Sequence, residues 1–187
     1  MIQNPQDVLG RGALAKKAEK KQQAALSEEE KRRHRCCFTG HRPQGITRPL
    51  DDVKVDLENM IMAAIQEGYT TFVTGMCIGV DIWAGEIVQR LKSQYPGIHL
   101  IAAVPYPGFP DRWPAEWKNK YDLLLQNADA VRVISPAYEE KVFQTRNEWM
   151  VDHCAKLIAV SNGRKGGTQN TIAYARKKRI SVTTIKA

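Results

Sequence analysis

The sequence predicts an α/β fold: a single Rossmann-like, doubly wound parallel sheet of about six strands flanked by helices, preceded by a polar helical or flexible N-terminal tail. Three observations predict it. Short apolar runs at 36–39, 71–74, 99–105, 130–134, 157–160 and 180–185 alternate with helix-length segments, as βαβ units do. The run HLIAAVPYPGF is apolar throughout, as a strand covered on both faces is. Glycine-bearing loops directly follow the first, second and fifth runs, at Thr39–Arg42, Thr74–Asp81 and Asn162–Thr171.

The elements follow in order. Residues 1–35 have no aromatics and little apolar periodicity, although AKKAEKKQQAALSEEEKRRHR is rich in helix formers. Ser27 followed by Glu30 is a capping-box spacing that starts a helical turn. The tail reads first as a solvated segment, and second as an arm for self-association or nucleic acid. Order begins at Cys36, where CCFT runs into Gly40, His41, Arg42 and Pro43 and the strand must stop. From Asp51 to Gln66, Val53, Leu57, Met60, Ile61, Ala64 and Ile65 recur at helical spacing, with Gly68 as the stop. FVT then leads through Gly75 and Gly79 into a helix running to Leu91. After the strand ending at Pro105, PAEWKNKYDLLLQNAD is a helix with Pro114 in its first turn. A strand at 130–134, a helix around 144–150, the strand LIAV, a helix over 172–177 and the closing run ISVTTI complete the alternation.

At 187 residues and 43% hydrophobic, the chain suits one core with an appendage: a tail of 1–35 and a domain of 36–187. The net charge is +8, and residues 1–35, with nine Lys/Arg against five Asp/Glu, supply half of it. Nucleic acid is therefore a weakly supported partner for the body. Cys36, Cys37, Cys77 and Cys154 have no disulfide-framework spacing and suit a reduced cytoplasm, the expected location. No apolar run approaches the ~20 residues of a membrane-spanning helix. His34, Cys36, Cys37 and His41 are close in sequence, but strand alternation sends Cys36 and Cys37 to opposite faces, so no metal site is assigned.

Chemistry is expected outside the carboxyl ends of the strands, where loops of a doubly wound sheet gather. Thr39, Gly40, His41 and Arg42 all offer donors to phosphate or ribose oxygens. Gly166, Gly167 and Thr168 give two unhindered amides and a hydroxyl at a helix start, as an anion requires. No GxGxxG and no GKS or GKT occurs, so nicotinamide oxidoreduction and P-loop chemistry are unsupported. Arg146 suits a two-oxygen clamp on phosphate, or a helix-surface ion pair with Glu148 or Asp152. Trp83, Trp113, Trp117 and Trp149 read as packing residues, with Trp113 the one placed to stack on a base.

Taken together, TGHR at 39–42, TGMCIGVDIWAGE at 74–86, VPYPGF at 104–109, the 121–129 helix, TRNEWMVDHC at 145–154 and GGTQNT at 166–171 resemble the YpsA-like branch of the SLOG superfamily. That superfamily includes DNA-processing protein A and the LOG phosphoribohydrolases. The resemblance covers about residues 36–185 and implies a domain that binds a nucleotide or nucleotide derivative, NAD- or ADP-ribose-like or a cyclic nucleotide, as sensor or sequestering module. It carries Gly40, Arg42, Gly75, Gly79, Asp81, Arg146 and Gly166 to Thr168 into the site, with Met76, Pro105 and Asn147 in the same matched motifs. A homodimer is implied by resemblance as well. LOG-type hydrolases place a carboxylate just after the last glycine loop, where this chain has Gln169, Asn170 and Thr171. Cleavage of an N-glycosidic bond would therefore fall to Asp81 or Glu148, and Asp81 is equally placed to cap its helix or hold a ribose. Single-stranded DNA binding is the further alternative.

Overall fold

The computed structural model describes residues 27–187. Ser27 opens a short helix, α1 (Glu28–Arg33). The Ser27 hydroxyl accepts from the Glu30 amide at 3.2 Å, and the Glu30 carboxylate accepts from the Ser27 amide at 2.7 Å, the reciprocal bonds of a capping box. The tail expectation for residues 1–26 lies outside the described residues. Arg32–Ala187 forms one compact unit, which holds every strand.

Six strands, β1 (Arg35–Gly40), β2 (Thr71–Thr74), β3 (His99–Val104), β4 (Ala130–Val133), β5 (Lys156–Ser161) and β6 (Ser181–Lys186), pair in parallel in the order β4-β3-β2-β1-β5-β6. Cys36 sits opposite Phe72 on one side and Lys156 on the other, and Gly40 lies opposite Val160. The chain winds outward from β1 to β4, then crosses back to β5, so the strand order reverses between β1 and β5. This is the doubly wound sheet that the alternation predicted.

Five helices follow: α2 (Leu50–Gln66), α3 (Val80–Leu91), α4 (Ala115–Gln126), α5 (Val142–Asp152) and α6 (Gly167–Lys177). Strand side chains alternate between two apolar layers. Phe38, Phe72, Leu100 and Ile158 pack with α2, α3 and α4 through Leu57, Ile61, Ile82, Val88 and Leu124. Cys37, Val73, Ala103 and Leu157 pack with α5 and α6 through Met150, Val151, Ile172 and Ala175. Both faces of the central strands are covered, which is why their sequences are continuous apolar runs. Cys36 and Cys37 are buried in different layers.

Two details differ from a uniform sandwich. β4 is an edge strand with every residue exposed, Val131 and Val133 included. Lys156, at the start of β5, is buried and donates to both oxygens of Glu67 at 2.8 and 2.6 Å, so its charge is neutralised where the helix α2 ends. Among the described residues, no helix is long and apolar enough to cross a membrane.

Candidate functional site

At the reversal point between β1 and β5, beyond the carboxyl ends of the strands, lies a cavity of about 340 Å³. Thr39, Gly40, His41 and Arg42 line it from the end of β1, Cys77, Ile78 and Asp81 from the β2–α3 turn, Phe143, Arg146 and Asn147 from α5, and Gly167 and Thr168 from the start of α6. All three glycine loops thus share one rim, where ligands of open α/β sheets sit. A larger cleft of about 480 Å³ on α2 and α3 touches no strand end, and its charges are paired, Arg90 with Glu58 and Lys120 with Glu86.

The glycines divide into two kinds. Gly75 and Gly79 permit close approach within the protein. A Cβ on Gly75 would lie 2.4 Å from the Arg146 guanidinium, and one on Gly79, at φ +97°, would lie 2.7 Å from the His41 carbonyl. Gly40 is pressed the same way against Val80, 2.5 Å from an added Cβ. Gly166 and Gly167 have nothing within 4 Å of an added Cβ, and Gly166 at φ +149° takes a conformation open to glycine alone. The first three hold the walls together, whereas the last pair leaves the α6 N-terminus bare.

Arg146 is the centre of the wall. It is buried at 3% exposure, donates to the Gly75 carbonyl and to Asn147 Oδ1 at 2.9 Å, approaches Cys77 Sγ at 3.3 Å, and faces Asp81 at 3.8 Å. Its ion-pair partner is therefore Asp81, and neither Glu148 nor Asp152. Asp81 also accepts from the Cys77 amide at 3.3 Å, across the turn before α3. Burial pushes the Asp81 carboxyl up, against the opposing pulls of Arg146 and of that amide. Met76, fully buried at φ +61°, sits behind this turn, with its amide bonded to the Thr74 hydroxyl.

The hydroxyls of two buried residues face the other way. Thr39 and Thr168 are 7% and 8% exposed and have no hydrogen-bond partner for their side chains among the described residues. No fully enclosed side-chain polar atom among those residues lacks a partner, so both hydroxyls open into the cavity they line. His41 Nε2 instead accepts from the Asn162 amide at 3.3 Å and ties the first loop to the third. Arg42, Arg164 and Lys165 are exposed in the first and third loops and make no ion pair among the described residues.

Most expected residues are therefore gathered, while some are not in the lining. Gly75, Gly79 and Met76 support the walls from behind. Gly166 precedes the lining, and Pro105 is buried at the end of β3, where its carbonyl accepts from Ser135 at 3.0 Å. Glu148 accepts from Gln144 at 2.8 Å along α5 and does not line the cavity. Trp113 packs edge-on against Phe109 and Tyr121 at 4.9 and 5.6 Å, a core contact away from the lining. Cys77, Ile78 and Phe143 were missed by sequence reasoning. The signal for Phe143 was its spacing, since it stands three and four residues before Arg146 and Asn147 on one helix face.

Comparison with known proteins agrees with this fold. The chain is similar to the uncharacterized SPbeta prophage-derived protein YoqJ of Bacillus subtilis, 33% identical, with 65% of this chain and 81% of that one aligned. It is 30% identical to the UPF0398 protein BH1768 of Halalkalibacterium halodurans, over 78% and 76% of the two chains. In fold it resembles DNA processing protein A from Streptococcus pneumoniae, with a TM-score of 0.57 and 19% identity, over 84% of this chain and 52% of that one. The same protein from Helicobacter pylori, whose structure concerns a single-stranded DNA binding mode, gives 0.57 and 18% over 80% and 64%. This chain thus spans about half to two thirds of those larger proteins. The sequence model of the YspA SLOG family matches residues 36–186, strand β1 through β6, and the chain belongs to that family.

Proposed function

We propose that the protein binds a nucleotide or nucleotide-derived small molecule in the switch-point cavity, with a phosphate group at the start of α6. The observation that carries this reading is the pair of Thr39 and Thr168 hydroxyls, on residues more than nine-tenths buried, open to the cavity and without a side-chain hydrogen bond among the described residues, beside the bare Gly167 amide. Both hydroxyls open into the cavity uncommitted, so a ligand oxygen gains hydrogen bonds there without displacing a protein partner. The helix N-terminus favours an anionic oxygen there, and exposed Arg42 adds charge at the same rim. With its buried network around Arg146 already satisfied, the site is organised for binding before any ligand arrives.

Calorimetric titration with AMP, ADP-ribose, NAD and a cyclic nucleotide tests this. At least one should bind, and Thr168→Val should weaken it by about 1.5–3 kcal/mol, the worth of a hydrogen bond to a charged group. Absence of binding to all four would refute the reading. Free base released in the same mixtures would make the site hydrolytic, with Asp81 as the one carboxylate in the lining. A second reading, single-stranded DNA, is favoured by Arg42, Arg164 and Lys165, exposed and without ion pairs among the described residues, and by the fold it shares with DNA processing protein A. That reading requires an oligonucleotide shift that weakens steeply with salt.

A further inference from the structure

Resting on the nucleotide reading of this cavity, we infer that the face of Phe143 is its base subsite, and that the ligand is a single nucleotide lying along the rim from β5 towards β3. Phe143 is the one Phe, Tyr or Trp in the lining, where the other ring, His41, is tied to the Asn162 amide and Ile78 is the one large aliphatic group. Phe143 is half-buried and held from behind by other rings: Phe109 at 5.5 Å, Tyr106 at 6.3 Å and Tyr138 at 6.5 Å. Tyr138 is 62% exposed yet rests edge-on against Tyr106 at 5.5 Å. A ring fixed by such neighbours loses little freedom when a base stacks on it.

The topology gives the subsite its place. Gly167 and Thr168 follow β5, whereas Tyr106 and Phe109, which brace Phe143, follow β3. Between β5 and β3 the sheet order places β1 and β2, so the strands that carry these two sets of residues lie three ladder spacings, roughly 14 Å, apart. A phosphate at one end and a base at the other match that layout, with the ribose between them near Asn147. Asn147 Oδ1 is taken by Arg146, while its Nδ2 group has no protein acceptor among the described residues. A cavity of about 340 Å³ is at the lower end of small-molecule sites, which span roughly 300–1,000 Å³, so it suits one nucleotide rather than a dinucleotide.

The test compares AMP with ribose 5-phosphate, which lacks the base, by calorimetry on the full-length protein and its Phe143→Leu variant. Leucine keeps apolar volume against Tyr106 and Phe109 while removing the aromatic face, and Phe143→Trp restores one should leucine disturb folding. Wild type should bind AMP about tenfold more tightly than ribose 5-phosphate, the order expected for stacking a base on an aromatic ring. In Phe143→Leu that ratio should fall towards one with ribose 5-phosphate affinity unchanged, and Phe143→Trp should keep it. Equal affinities in wild type, or an unchanged ratio in Phe143→Leu, would overturn the base subsite while leaving phosphate binding intact. Failure of both compounds to bind overturns the single-nucleotide ligand and its subsite, and the parent reading falls with them only when ADP-ribose, NAD and the cyclic nucleotide fail as well. Binding of an oligodeoxyadenylate that depends on Phe143, without AMP binding, assigns the platform to a strand and overturns the single-nucleotide ligand.

Discussion

Asp81 shows how a single residue changes meaning once its neighbours are known. In the sequence it is a carboxylate beside a glycine loop, equally suited to capping, ribose binding or catalysis. In the fold it is 8% exposed and faces Arg146, whose own burial needs a counter-charge. Its carboxyl is held above the usual value of 3.8, so the folded protein retains a proton that the unfolded chain has already released. Stability should consequently fall as pH rises from about 3.8 through the raised folded value, and stay level above it. Urea unfolding at a series of pH values checks this against Asp81→Asn, which has no proton to lose there. Over that window the variant should gain stability relative to wild type. A relative loss would mean that attraction to Arg146 outweighs burial.

At the scale of elements, the site depends on how closely two loops approach. The β1 loop and the β2–α3 turn touch through backbone, with the His41 carbonyl 2.7 Å from where a Gly79 Cβ would stand. Gly79 also holds φ +97°, which side-chain-bearing residues avoid. Gly79→Ala should cost about 1–3 kcal/mol in denaturant unfolding and weaken ligand binding as the loops separate. Gly97→Ala, with nothing within 4 Å, is the control expected to leave stability nearly unchanged. The crossing of α3 and α4 relies on the same device, since a Cβ on Gly85 would lie 2.6 Å from Leu124.

Across the whole molecule, coverage is uneven, and local stability should follow it. β1 and β5 are central, paired on both sides and buried on both faces, whereas β4 has one ladder neighbour and four exposed residues. Native-state hydrogen exchange should therefore find the slowest strand amides in β1 and β5 and the fastest in β4. Equal protection in β4 would point to a partner covering that edge. The fold class was legible in the sequence because parallel strands covered on both faces must be apolar throughout, and the helices between them must carry one apolar stripe. The loops were legible because glycines at strand ends leave few local alternatives. By itself, then, the sequence determined the alternation of elements, the strand-end rim on which the glycine loops meet, and the family motifs. Only the tertiary structure decided that Arg146 pairs with Asp81, that Glu148 stays with Gln144 along α5, and that Phe143 rather than Trp113 reaches the cavity. The first and last of these depend on the order of strands in the sheet, which brings residues about 70 positions apart within bonding distance and which no local periodicity encodes, whereas Gln144 and Glu148 stand one helical turn apart.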